Sequence, residues 1–480
     1  MTRSAVVVGS GPNGLTAAVL LARAGLDVTV LEAADIIGGG TRSSELLEPG
    51  VQHDHCSAFH PLGAGSPVFP TLGLEDHGLR WKWPEIDCAH PLDDGSAGLL
   101  LRSIDTTADG LGVDGPRWRE LFGPLVNRFD DLRGEILSPM VSVPRHLVTL
   151  GLFGMRAMLP ASVLGRLLRT PQARALFTGN AAHAFSRLDR PGSSAAALML
   201  ISAGHRFGWP VAEGGSAAIT SALASALRDA GGRIITGTTV SRWSDIADAD
   251  IALLDVMPEA VREILGGRLP RRVDSAYRRH RRGPAAFKVD YVIDGAVGWR
   301  NPQCAKAGTV HLGGTADEIV AAENEVAAGR MPAEPFVLVG QQWVADPSRS
   351  AGLTASHRPL WAYAHVPQGF SGDATAAITA QIERFAPGFR DRIVASVSSG
   401  PAELEQANAN YLGGDIGGGA NDVWHLLARP RLSPNPYATG VDGVYLCSSA
   451  TPPGGGVHGM CGYGAANAAL RALRSPTPCA

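Results

Sequence analysis

Three glycines stand where they could hold a phosphate. In VVVGSGPNGLTAAVLLARAGLDVTVLEA, Gly9, Gly11 and Gly14 fall in G-x-G-x-x-G register, with Pro12 and Asn13 between the last two. Gly9 permits a tight turn, Gly11 lets a pyrophosphate approach the backbone, and Gly14 lets a helix sit close to a strand. Glu32 follows 18 residues after Gly14, where a carboxylate accepts hydrogen bonds from an adenosine ribose and disfavours a 2′-phosphate. A glycine triplet alone marks only a tight turn; strand, helix and acidic residue together define a dinucleotide site. Gly38, Gly39 and Gly40 come six to eight residues beyond Glu32. They let the chain lie against a second stretch of cofactor, which a simple NAD dehydrogenase does not need, so FAD is expected. Ala33 and Thr41, beside Glu32 and Gly40, count among the cofactor-binding residues.

These residues need a βαβ scaffold, and the sequence supplies one. Ala5 to Val8 is a short apolar strand, Pro12 to Ala24 an Ala/Leu-rich helix and Asp27 to Leu31 a second strand. From Pro91 to Phe207 the pattern turns helical, with segments at Pro116 to Glu135, Ala161 to Leu176 and Ser193 to Ala203, read as an inserted lid. A helix over Gly214 to Leu227 and strands over Arg233 to Ile235, Thr239 to Trp243 and Ile251 to Val256 resume the Rossmann unit. Phe287 to Ile293 alternates, with Phe287, Val289, Tyr291 and Ile293 on one face and Lys288, Asp290 and Val292 on the other, as in a half-buried strand. A last strand at Val444 to Cys447, a glycine-rich turn over Pro452 to Gly464 and a helix from Ala465 to Leu473 bring the chain back to the cofactor. The expected fold is α/β: a discontinuous, glutathione-reductase-like Rossmann domain (1–90, 207–256 and 435–480), a helical lid (91–206) and a mixed-sheet substrate domain (257–434).

Composition closes several other routes. A chain of 480 residues that is 45% hydrophobic can bury cores for two domains, and a formal charge of -3 gives no field favouring nucleic acid. The six cysteines show no C-x-x-C pair and no zinc spacing, which fits a reducing cytoplasm, and no metal site is expected. With no redox dithiol and no second G-x-G-x-x-G set directly between an apolar strand and a helix, a disulfide reductase with its own NAD domain is not expected. The apolar stretch from His146 to Leu168 is broken by Gly151, Gly154, Arg156 and Pro160, so it falls short of a membrane span. His146 to Phe177 could still rest on a bilayer as a peripheral contact. The arginine run from Arg271 to Arg282 reads as a solvated loop, and Gly413 to Gly419, with no strand before it, as a loop near the active site.

On LEAADIIGGGTRSSE, on FGWPVAEGGSAAITSALASAL with TGTTVSRW, and on the closing GVYLCSSATPPGGGVHGMCGYGAANAAL, the chain resembles the phytoene desaturase, carotenoid isomerase and amine oxidase superfamily. It is most similar to the branch with phytoene-dehydrogenase-like and retinol-saturase-like proteins. That resemblance implies that Val240 meets the adenine, that Ser57, Ala58, Phe59 and His60 lie near the isoalloxazine, and that Gly455, Gly456 and Val457 face the flavin before a helix N-terminus. The sequence departs from carotenoid desaturases at Pro452, where they usually carry histidine, and at Ser448, where glycine is common.

Three residues are expected to handle protons. Lys288 resembles the strand lysine with which amine oxidases hold a water against the flavin, although a lysine on the polar face of a strand is the commoner case. His60 and His458 fall in segments that the resemblance places by the flavin, and imidazole titrates near neutrality. The function expected is FAD-dependent desaturation, saturation or isomerisation at C–C bonds of an apolar, isoprenoid or lipid-like substrate, with O2 or a quinone as electron acceptor. A flavin amine oxidase and a non-catalytic FAD-binding scaffold are the alternatives.

Overall fold

The computed structural model describes residues 2–139, 144–351 and 354–474; Cys479 and 475–480 of the expected closing segment lie outside them. The strands of the two main sheets are, in chain order, β1 (Ser4–Val8), β2 (Asp27–Leu31), β3 (Ile86–Pro91), β4 (Ala97–Leu100), β5 (Arg233–Ile235), β6 (Ile251–Leu254), β7 (Ala285–Asp294), β8 (Ala307–Leu312), β9 (Val337–Gly340), β10 (His357–Val366), β11 (Ile393–Ser399) and β12 (Val444–Leu446).

The Rossmann sheet runs β12-β6-β1-β2-β5, parallel throughout, so strands from the start, the middle and the end of the chain meet in it. Its central strands are apolar on both faces because helices cover both. One face buries Leu15, Ala18, Leu223 and Ala466 from the helices Pro12–Arg23, Ala217–Asp229 and Met460–Arg474. The other buries Val261, Ile264 and Tyr277 of Pro258–Leu265 and Arg271–Arg278 against Val8, Leu254 and Leu446. Residues 258–278, expected in the substrate domain, therefore cover the Rossmann sheet.

The second sheet is mixed, in the order β11-β7-β10-β9-β8-β3-β4, with only β3 and β8 pairing in parallel. Its β3–β4 hairpin takes in residues expected at the end of the first Rossmann segment and the start of the lid. The turn signal was present: Asp94 caps Ser96, and Gly95 adopts φ +83°. The faces of β7 alternate as the sequence indicates. Phe287, Val289, Tyr291 and Ile293 join a core with Ile378, Ile382 and Phe385 of the helix Thr375–Phe385. The strand is not half-buried, however; every residue from Ala285 to Ile293 is buried, and the polar side faces the rest of the protein.

Three local expectations fail for identifiable reasons. Thr239 to Trp243 forms no strand, because the Asp245 carboxylate accepts the Ser241 and Arg242 amides (2.9 and 3.1 Å) and closes a turn. Pro116 to Glu135 is two helices, Gly115–Val126 and Phe129–Ile136, parted at Arg128 (φ −121°). Ala161 to Leu176 is also broken: Ala161–Leu164 is one turn, and Pro171, at N1 behind the Thr170 cap, starts the helix Pro171–Ala182.

Candidate active site

A cavity of about 1030 Å³ runs from the carboxyl ends of β1 and β2 to the lid. At its Rossmann end Gly11 is the N-cap of Pro12–Arg23 with no side-chain cap; Pro12 has no N–H and the Gly14 amide is taken by Asp255, which leaves the Asn13 amide as the first-turn donor for a ligand. A Cβ on Gly14 would collide with the Gly9 carbonyl, and one on Gly39 would come to 3.3 Å from the Gly11 Cα. The first glycine turn thus has no space for a side chain at Gly14, and the Gly39 segment packs tightly against it. Glu32 Oε2 accepts the Ser10 amide (2.9 Å) and hydroxyl (2.5 Å), and Oε1 accepts the Ala34 amide (2.9 Å) and faces Arg42 (3.4 Å). These bonds fix the carboxylate on the cavity wall. Of the expected cofactor residues, Gly9, Gly11, Pro12, Asn13, Glu32, Ala33, Gly39, Gly40, Thr41, Ser57, Ala58, Val240, Gly455, Gly456 and Val457 all line the cavity. Gly14 sits just beneath it, its amide donating to Asp255 (2.9 Å).

Two lining residues other than glycine have backbones in the left-handed region, Val457 (φ +54°) and Phe185 (φ +48°). Each such conformation costs about 1–3 kcal/mol and persists where the surroundings enforce it. Val457 follows Gly456 (φ +139°) in the closing segment. Phe185 stacks on Tyr363 of β10 (ring centroids 6.1 Å apart, 16°).

The three expected proton carriers do not line the cavity, which corrects the reading from sequence. The Ser216 hydroxyl donates to Ser57 O (2.6 Å), so His60 Nε2 donates to Ser216 (2.9 Å) while Nδ1 faces the Ser57 hydroxyl (3.3 Å). His60 thereby props the Ser57–Phe59 wall, and burial lowers its pKa to about 4. His458 Nδ1 accepts the Met460 amide (3.1 Å) at the start of the closing helix; burial lowers it to about 4 as well. Lys288 is 4% exposed and its ammonium is taken by Asp290 two residues along β7. None of the three is open to a ligand.

Other residues, missed in the sequence, take polar positions on the wall. Asp255 follows β6 directly under the glycine turn: its Oδ2 would lie 3.0 Å from a Cβ on Gly11 or Gly14. Burial, with the Glu32 charge adding to it, pushes Asp255 up to about 7 against the pull of the Gly14 amide. His183 lines the cavity with Nε2 3.0 Å from His311 Nε2 on β8, and His311 Nδ1 lies 3.5 Å from Cys88 Sγ. Burial lowers His183 to about 3, so it is neutral at physiological pH and one imidazole donates to the other. Arg429, next after the helix Val423–Ala428, brings a buried guanidinium to the wall. Asp255 alone had a sequence signal, as the acid closing an apolar strand; the others are joined only by the fold.

Beyond this belt the wall is apolar. Leu150 and Phe153 of Leu147–Ala157, Met199 and Leu200 of Ser194–Phe207, and Leu426 and Leu427 of Val423–Ala428 enclose it.

Comparison with known proteins agrees with this geometry. Residues 7–72 match the NAD(P)-binding Rossmann-like domain family. A solved putrescine oxidase variant superposes with a TM-score of 0.61 over 99% of each chain at 19% identity, so the fold is the α/β, FAD-type Rossmann fold with a mixed second sheet. In sequence the chain is 24% identical to the Mus musculus pyridine nucleotide-disulfide oxidoreductase domain-containing protein 2, across 98% of this chain and 94% of that one. It is 30% identical to a hydroxyneurosporene desaturase of Cereibacter sphaeroides over 49% of this chain and 50% of the other.

Proposed function

We propose that the protein is an FAD-dependent oxidoreductase that desaturates, saturates or isomerises C–C bonds of an apolar, lipid-like substrate. The observation that carries this reading is a single cavity in which a dinucleotide cradle continues into an apolar chamber. The residues fit FAD: a helix N-terminus with no side-chain cap at Gly11, a Gly39 segment with left-handed backbone (φ +53°) packed against Gly11, and Glu32 held at ribose position. FAD bound there would supply a hydride acceptor beside the chamber. The helices over the chamber line it with apolar side chains, and neutral His183, held by His311, is a polar wall group placed to hydrogen-bond a ligand. An electron acceptor such as O2 or a quinone would complete the cycle.

The amine oxidase alternative is less well supported. Lys288 is committed to Asp290, and the buried Arg429 charge on the wall opposes an ammonium ligand. We further propose that the protein collects its substrate at a bilayer surface. Leu147, Val148, Met155 and Trp424 are exposed on helices whose other sides line the chamber. Among the described residues no single helix is long and apolar enough to cross a membrane; Leu147–Ala157 and Ala161–Leu167 form one bent pair at 91°.

The test is anaerobic: flavin-loaded protein is mixed with isoprenoid or fatty substrates in one series and with primary amines in another. Bleaching of the flavin band by an apolar substrate is the expected result. Bleaching by amines alone would replace this reading with the amine oxidase one.

A further inference from the structure

We infer that Arg429 is an anion-recognition point, and that the ligand held in the apolar chamber carries a carboxylate. This rests on the chamber being a substrate site and names the chemical class that it selects.

Among the described residues three arginines are buried: Arg42, Arg349 and Arg429. Arg42 faces Glu32 (3.4 Å), and Arg349 is paired with Asp54 (2.6 Å) and Asp346 (3.2 Å). Arg429, 3% exposed, has no carboxylate within ion-pair distance among the described residues, although removing a charge from water without a counter-charge is strongly unfavourable. Its contacts are neutral oxygens. Nε donates to His425 O, Nη1 to Ser449 O and Nη2 to Ala420 O, all at 3.3 Å, and Nη2 also to Asn421 Oδ1 at 2.6 Å. A guanidinium has five N–H groups, so these four bonds, three of them long, leave donor capacity at Nη1.

The two carboxylates whose charges reach it are already committed. Asp415 accepts the amides of Gly283, Gly417 and Gly418, and Asp422 is held by His425 and Arg281. The position of Arg429 also suits a ligand. Asn421 links it to the lid side through Ala184 O (3.1 Å), and Gly454 (φ +110°) makes room for Nη1, which a Cβ there would approach to 2.5 Å. The guanidinium thus stands where the apolar wall meets the closing glycine loop, and a carboxylate can pair with it as Asp54 pairs with Arg349.

The experiment measures binding of dodecanoate and of dodecanol to the full-length, flavin-loaded protein by displacement of a fluorescent apolar probe. Dodecanoate should bind at least tenfold tighter, Arg429→Gln should reduce it to the level of dodecanol without changing dodecanol, and Arg429→Lys should recover part of the difference. Equal binding of acid and alcohol to the unmodified protein overturns the inference while leaving the apolar chamber intact, and needs no folded variant. Failure of both to bind removes the chamber reading itself. If Arg429→Gln shifts the flavin reduction potential and leaves dodecanoate affinity unchanged, the charge serves the cofactor and the inference fails.

Discussion

The two ends of the cavity are specified in different ways. The Rossmann end is set by backbone: Gly14, where a side chain has no room, Gly9 and Gly39 with left-handed φ, the tightly packed Gly11 as an N-cap without a side chain, and one carboxylate fixed by three hydrogen bonds. The lid end is set by side chains from helices far apart in sequence, among them Phe153, Met199 and Leu426. A cofactor common to many enzymes needs the first kind of wall, and a particular substrate needs the second. Substitutions at the Rossmann end should abolish cofactor binding, whereas those at the lid should spare it and alter the ligand.

Gly14→Val should have the largest effect. The new side chain meets the Gly9 carbonyl and Asp255, so the variant should lose about 3 kcal/mol of stability and retain no flavin after gel filtration. Glu32→Ala leaves the Ser10 and Ala34 donors without their acceptor and should weaken FAD about a hundredfold in a fluorescence titration. Phe153→Glu places a charge on the apolar wall and should lower affinity for an apolar ligand at least tenfold while the FAD affinity stays put. If FAD affinity falls as well, the two ends are not independent.

Asp255 offers a subtler test. With its pKa raised to about 7, its carboxyl is mainly neutral below that pH and ionises above it, beside the amides that would hold a pyrophosphate. FAD affinity should therefore drop about tenfold between pH 6 and pH 8.5, one pH decade of interaction being ~1.4 kcal/mol, and Asp255→Asn should flatten the profile. The smallest change is expected from Val457→Gly. Relief of the φ +54° backbone offsets the greater freedom of glycine in the unfolded chain, so stability should stay within about 1 kcal/mol of the parent in chemical denaturation.

The same contrast explains what could be read from the sequence. Backbone-determined features announce themselves in residue type and spacing: Gly9, Gly11, Gly14 and Glu32 gave the parallel sheet and the cradle, and the alternation of β7 gave its two faces. Burial of both faces of β7 could not be seen, because a lysine and an aspartate two apart, Lys288 and Asp290, neutralise each other inside the protein. Titratable residue types misled for a related reason. His60 and His458 are near the cofactor end but are used as a brace and a helix cap, while His183 gains its role from His311, 128 residues away. Arg429 is legible only after folding shows which arginines have acids beside them.

The most direct test of the central claim is the absorption spectrum of the purified full-length protein after incubation with FAD and removal of the excess. Flavin bands at equimolar stoichiometry, lost in Gly14→Val and kept in Phe153→Glu, are the predicted result. A protein that stays colourless under those conditions would contradict the account.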